Sequence, residues 1–206
     1  MKLIKLSMTV GLVSLATASA DPASKSGGEV RKPVGEGRAP EYRAESPLPK
    51  GWPEPGPFDQ VVRKKYPAYR AAFTTEGSPN GGFWKLFKHI ERKGIPMTAP
   101  VEMTLDAGEQ KKAKMEQMAF LYQSPEVGAT GPDGAQVEVR DVPAREALSY
   151  TWQGGRDNAA TARARKALDE ELAKLGLKAS GYRLLGYNSP FVPRSRQTFE
   201  LQALLE

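Results

Sequence analysis

The sequence predicts an α+β fold in which two β-α-β-β units build one curved sheet and lay two helices against it. Three observations lead there. The region from Val61 to Ala71 recurs 76 positions later, from Val137 to Ala147, with Pro67-Ala68 falling on Pro143-Ala144 and Lys64 on Arg140. Each copy runs into a glycine turn and then a segment of helical periodicity. Each helical segment is followed by two strand-like segments. Neither helix can hide its apolar face alone, so the simplest arrangement packs both on a sheet shared by the two halves around a pseudo-two-fold axis. A cleft is expected between helices and sheet.

The opening strand of each half is β-like but broken by proline, which marks an edge or a bulge. The strands run to about Thr75 and Trp152, and the turns fall at Gly77 and at Gly154-Gly155. The first helix is expected over about Gly82–Arg92, where Phe83, Leu86, Phe87 and Ile90 recur at i, i+3, i+4 and i+7. The second is expected over about Asp157–Leu175, with Asp157 as N-cap, Gly176 as C-cap, and Ala164, Ala167, Leu168, Leu172 and Leu175 as its face. Strands follow at Ile95–Leu105 and Met115–Gln123, then at Gly181–Gly186 and Arg196–Leu205. Gly131-Pro132-Asp133-Gly134 turns the chain between the halves.

Ahead of this region, residues 1–20 combine Lys2 and Lys5, an apolar stretch from Leu6 to Leu15, and the small residues Ala18-Ser19-Ala20. That order of charge, apolar core and cleavage site predicts a secretory signal. The stretch is shorter than the ~20 residues that span a bilayer, so no transmembrane segment is expected. Residues 21–57 hold eight prolines and six glycines and are expected to form a flexible linker, leaving 58–206 as the folded domain. Without cysteine the chain has neither disulfides nor a site for a lipid anchor, and export then points to the periplasm before full secretion.

The formal charge is +6, with both signs interspersed, so no nucleic-acid partner is expected. Enzyme templates fit poorly. There is one histidine, His89, no cysteine for a zinc cluster, no Gly-x-Ser-x-Gly elbow and no phosphate-cradling glycine loop. Glu102 is the carboxylate closest to an apolar setting, though strand alternation turns it to solvent. What stands out is Ile95-Pro96-Met97-Thr98-Ala99-Pro100-Val101, whose two prolines rule out a central strand. Phe83, Phe87, Met97 and Met103 lie beside it, with Arg92 and Lys93 at the end of the helix. An apolar cleft rimmed by cations suits a flat apolar ligand bearing carboxylates, such as a tetrapyrrole. The same residues also fit an ordinary core face with cations at a helix C-terminus.

Three segments carry a resemblance to the SOUL haem-binding family. They are Met97-Thr98-Ala99-Pro100-Val101, the run from Gly186-Tyr187-Asn188 through Pro190 and Pro193 to Arg196, and Val62-Arg63-Lys64-Lys65-Tyr66-Pro67. The resemblance covers roughly residues 58–206. It implies a duplicated β-α-β-β fold with a curved antiparallel sheet, a distorted barrel like that of gyrase-inhibitor-like effector-binding domains. It also implies haem or another tetrapyrrole bound beside the first helix, with Phe83, Leu86, Phe87, Ile90 and Met97 lining the cleft and Arg92 and Lys93 neutralising propionates. This sequence departs from the family pattern at Lys65, where some members carry an iron-ligating histidine, and at Asn188, where the family has aspartate. His89, at the boundary of the helix's apolar face, is then either a surface histidine or the iron ligand, with Met97 or a tyrosine as substitutes. The expected function is binding, not catalysis. Its rival is a module of the same fold for another aromatic ligand or a protein partner.

Overall fold

In each half of the chain, proline cuts the first strand in two, and the two pieces join different parts of the sheet. The computed structural model describes residues 39–75, 81–105 and 115–206. The signal expected at 1–20, linker residues 21–38 and the turn at Gly77 lie outside the described residues. β1 (Val61–Tyr66) and β2 (Tyr69–Thr74) flank Pro67-Ala68, while β6 (Val137–Val142) and β7 (Arg145–Gln153) flank Pro143-Ala144. β1 pairs with β7, and β2 pairs with β6 and with β4 (Met115–Leu121). Lacking an N–H, a proline cannot continue a ladder, so the breaks fall where each strand crosses from one half of the sheet to the other.

The remaining strands are β3 (Val101–Leu105), the short β5 (Gly131–Pro132), β8 (Ala179–Gly186) and β9 (Thr198–Leu205). All pairings between strands are antiparallel, in one nine-stranded sheet of order β1-β7-β9-β8-β3-β4-β2-β6-β5. Exchanging β1 with β6, β2 with β7, β3 with β8 and β4 with β9 returns the same order read backwards, apart from β5. The expected pseudo-two-fold therefore passes between β3 and β8, where Val101 faces Gly186, Met103 faces Leu184 and Leu105 faces Tyr182. The α+β class, the curved antiparallel sheet and the two helices are as the sequence predicts. Ile95–Pro100, expected as the start of a strand, is a connection, and the strand begins only after Pro100.

Helix α1 (Gly82–Lys93) and helix α2 (Asn158–Leu175) both end at a glycine with φ near +64°, Gly94 and Gly176, which closes the last turn at no steric cost. Asp157 caps α2 by accepting from the Ala160 N–H at 2.9 Å. Ala160, Ala164, Leu168 and Leu172 of α2 pack on Leu148, Tyr150, Trp152, Leu184, Phe199 and Leu201. Leu86 and Ile90 of α1 pack on Ala72, Phe120, Tyr122, Val137 and Val139.

The sheet face away from the helices is buried as well, and beside apolar residues such as Phe73, Leu121 and Leu185 it carries a set of polar ones. Glu102, Arg183, Ser149, Thr151, Glu200 and Gln202 all lie below the surface. What covers them corrects the expected domain boundary. Residues 39–57 belong to the same compact unit as the sheet and form a strap across this face. Trp52 is buried against Tyr66 and Tyr69, with ring centroids 4.9 and 5.3 Å away. The strap is tied down by Lys50 N–H to Gln123 O (2.8 Å), Ala99 N–H to Pro47 O (3.0 Å) and Gln153 Nε2–H to Glu41 O (2.9 Å). Its composition suggests a spacer, but its three large apolar side chains, Tyr42, Leu48 and Trp52, all find places in the core.

Truncating Trp52 opens a cavity over buried charges. Trp52→Ala is expected to cost about 3–5 kcal/mol, measured as the shift in urea unfolding.

Candidate functional site

A cleft of ≈ 530 Å³ opens at the end of the β3–β8 seam. Four pieces of chain wall it. Helix α1 supplies Phe83, Trp84 and Phe87, and the connection into β3 supplies Met97, Thr98, Ala99 and Val101. The segment after β8 supplies Gly186, Tyr187, Asn188, Ser189, Pro190 and Phe191, and the strap adds Glu45 and Ser46. The volume lies within the ~300–1,000 Å³ typical of small-molecule sites.

The connection is rigid because its polar groups are spoken for. The Ile95 N–H donates to Ile90 O at 2.9 Å and the Thr98 hydroxyl to Leu121 O at 2.6 Å. The aromatic wall is built by helical spacing: Phe83 and Phe87 stack at 6.2 Å, and Trp84 meets Phe87 edge to face at 5.9 Å. Glu45, Ser46, Thr98, Asn188 and Ser189 add polar groups to the lining. Glu45 accepts from the Ser189 N–H at 2.8 Å and from its hydroxyl at 3.2 Å.

The residues expected to line the site divide into three groups. Phe83, Phe87 and Met97 line the cleft. Leu86 and Ile90 do not; they are 0% and 4% exposed, inside the core beneath α1. Arg92 and Lys93 lie away from the cleft and are paired with Asp133, Arg92 in a short contact and Lys93 at 3.8 Å. Among the described residues no lysine or arginine lines the cleft, so the expected cationic rim is corrected. Trp84, Phe191 and Glu45 were not anticipated. Phe191 sits within the Gly186–Arg196 motif, a signal that was available. Trp84 falls off the apolar periodicity, and Glu45 comes from the strap.

His89 is corrected on both expectations. It is neither on the surface nor at the cleft, being 2% exposed on the core side of α1. Nε2 meets the Tyr122 hydroxyl at 2.7 Å and Nδ1 makes a short contact with the Asp133 carboxylate. An ionised carboxylate only accepts, so Nδ1 carries the hydrogen and donates it. With both ring nitrogens engaged, iron ligation by His89 would require breaking a buried hydrogen bond. The bond from His89, followed by the charges of Arg92 and Lys93, holds the Asp133 carboxyl below its ordinary range despite some desolvation. Burial, with Asp133 nearby, pushes the Tyr122 hydroxyl up to about 12.

A haem or related macrocycle fits the character of this cleft: apolar, aromatic-walled and open at one end. Met97 is the thioether in the lining. The Tyr187 hydroxyl is directed to Glu200, at 3.3 Å, on the other face of the sheet.

Solved structures fix the class of fold. The chain is similar to the EcmrR C-terminal domain (17% identity, 71% of this chain and 97% of that one, TM-score 0.52). In the EcmrR–DNA complex the corresponding figures are 16%, 71% and TM-score 0.55, and the chain spans only 57% of EcmrR's length. A hydrolase from Listeria innocua is similar at 11% identity, over 73% of this chain and 94% of that one, with TM-score 0.55. These likenesses concern the fold alone. No curated relative matches the chain at a significant level. The family itself is set by sequence. Residues 59–201 match the SOUL heme-binding protein family, and the chain belongs to it. Membership supports a general role in binding haem or another tetrapyrrole, a small-molecule partner. Among the described residues no helix is long and apolar enough to cross a membrane.

Because Asp133 is depressed in the folded state, its contribution to stability is full above the ordinary carboxylate pKa. It fades as pH falls through the lowered folded pKa. Asp133→Asn is therefore expected to be less stable than the parent at neutral pH, with the gap narrowing as pH falls below the ordinary carboxylate range, as read by urea unfolding across that range.

Proposed function

We propose that this protein is an exported haem- or tetrapyrrole-binding protein, acting in the periplasm by binding, not by catalysis. The ligand is held in the apolar cleft beside α1. The observation that carries this reading is the aromatic cleft itself, walled by Phe83, Trp84, Phe87 and Phe191 and built on two of the family's own segments, at Met97–Val101 and Gly186–Phe191. The macrocycle lies between the α1 aromatics and the connection, so contact area supplies most of the affinity. Its carboxylates extend to solvent at the open end, since no cation lines the wall. Met97 is the residue of this wall suited to meet an iron atom. Export is supported by the charge, apolar core and small-residue order of residues 1–20.

The second reading is a binding module for a different aromatic ligand. It is favoured by one observation, that among the described residues the single charged group lining the cleft is the carboxylate of Glu45. Metal-free porphyrin separates the two: affinity equal to that of haem makes iron ligation irrelevant, and binding of neither macrocycle leaves the second reading in front.

Titration with haem, followed by absorbance, is expected to show a saturable one-to-one Soret shift. Phe87→Asp places a charge in the apolar wall and is expected to weaken binding at least ~10-fold. Arg92→Ala, on the far side of the helix, is expected to stay within ~2-fold of the parent. Equal affinity of all three proteins would move the site elsewhere.

A further inference from the structure

The strap of residues 39–57 divides into a firm part and a loose one. Pro47 to Trp52 is firm. Pro47 O accepts from the Ala99 N–H at 3.0 Å, the Lys50 N–H donates to Gln123 O at 2.8 Å, Leu48 packs on the core and Trp52 is 6% exposed. Glu41 to Ser46 is tied differently. Asn188 Nδ2–H donates to Arg43 O at 3.0 Å, and Glu45 accepts from the N–H and hydroxyl of Ser189. Each of these bonds uses a side chain and is exposed, where a hydrogen bond gains little over one to water. The apolar contact of this part is Tyr42, half-buried with its ring 5.5 Å from that of Tyr187. Its hydroxyl is buried and meets no partner among the described residues, so docking the ring desolvates a polar group without replacing its bond. The Trp52 indole N–H is unpaired as well, but Trp52 buries a whole indole in exchange. Segments with few buried apolar contacts and exposed hydrogen bonds are those that open locally.

The loose part is also the part of the strap that enters the cleft wall. Glu45 and Ser46 line the cleft together with Tyr187, Asn188 and Ser189, so the Glu45–Ser189 bonds close the seam between the strap and the segment after β8. We infer that Glu41–Ser46 is a gate on the cleft, anchored at Pro47 and latched by Glu45 on Ser189. It swings off Ser189 to let a ligand pass and closes again behind it. The inference rests on the cleft being the binding site, and it concerns the path in and out, not the identity of the ligand.

The full chain is first treated with trypsin in the absence of ligand. The bond after Arg43 lies in the gate and the bond after Lys50 in the firm part. Local opening should let trypsin cut after Arg43 at least ~10-fold faster than after Lys50, with a further ~3-fold rise in Glu45→Ala. Haem and metal-free porphyrin are then mixed in stopped flow with the parent, Glu45→Ala and Glu45→Gln. Glu45→Ala removes the latch at an exposed position and should leave thermal unfolding unaltered. It should speed association and release alike, each ~5-fold, with Kd staying within ~2-fold. Glu45→Gln keeps an oxygen for the Ser189 N–H and should stay within ~2-fold of the parent in both rates. Equal cleavage at the two sites would mean that the strap opens as one piece, and would overturn the gate whatever the cleft binds. Unchanged rates in Glu45→Ala would overturn it too, as would equal rates in Glu45→Gln and Glu45→Ala, since the charge and not the latch would then act on the ligand. Binding of neither macrocycle, with the cleavage pattern as expected, would instead overturn the reading of the cleft and remove the gate's role with it.

Discussion

A charge buried at the seam of the two halves is the constraint on which the fold rests. Arg183, on β8, is 1% exposed. It reaches Glu102 on β3 at 3.0 Å, the Tyr69 hydroxyl at 2.8 Å and Gln202 at 2.7 Å, so one guanidinium ties β8 to β3, β2 and β9. Burial alone would lower its pKa; Glu102 and the tyrosines around it outweigh that and hold it raised. Desolvation followed by the charge of Glu200 raises Tyr66, and desolvation followed by Glu102 raises Tyr69, so both hydroxyls stay protonated and donate. Removing either partner of such a pair strands the other in low dielectric, at a cost of roughly 3–5 kcal/mol. The second carboxylate, Glu200, is satisfied by Tyr66, Lys64, Thr151, Tyr187 and Gln202. A network this size is stable only when water is kept out and its members are held in place.

The strap of residues 39–57 meets that requirement and also helps shape the cleft. Trp52 lies over the network, with the Arg183 guanidinium 5.4 Å from its ring. Seven residues earlier the same strap delivers Glu45 to Ser189, and Pro47 holds Ala99. Sealing the polar face and building one wall of the cleft are therefore a single structural act. The location of the cleft follows from the symmetry. β3 begins and β8 ends at the paired residues Val101 and Gly186, and the segments leaving the sheet there must diverge.

The repeat, the helix caps and the α+β class were legible because each depends on local chemistry: proline in a strand, glycine at +φ, aspartate at an N-cap. The polar face was not. Period-2 alternation reads Glu102 as solvent-facing, and on a sheet covered on one side only it would be. Its burial comes from a strap whose proline content reads as spacer, and from partners more than thirty residues away in sequence (Tyr69 and Arg183). His89 shows the same limit. Its place at the edge of the apolar face was read from the wheel, but Tyr122 and Asp133, which draw it inward, lie just past β4 and in the β5–β6 turn.

Helix α1 explains why the residues expected at one site are divided between core, cleft and surface. At ~100° per residue its circumference divides into three arcs. Leu86 and Ile90 pack on the sheet, Phe83 and Phe87 line the cleft, and Lys85, Lys88, His89 and Arg92 line a second hollow closed by Asp133, with Trp84 bordering both. An i, i+3, i+4, i+7 pattern identifies an apolar half-circle but cannot say where core ends and cleft begins. A helix packed by all four residues would leave no cleft. His89 takes a third inward position, held by the Tyr122 hydroxyl and the Asp133 carboxylate. Phe83 packs against Phe120 at the edge of the core, and Phe87, one turn on, is left 36% exposed at the cleft, so one apolar stripe supplies both core and wall.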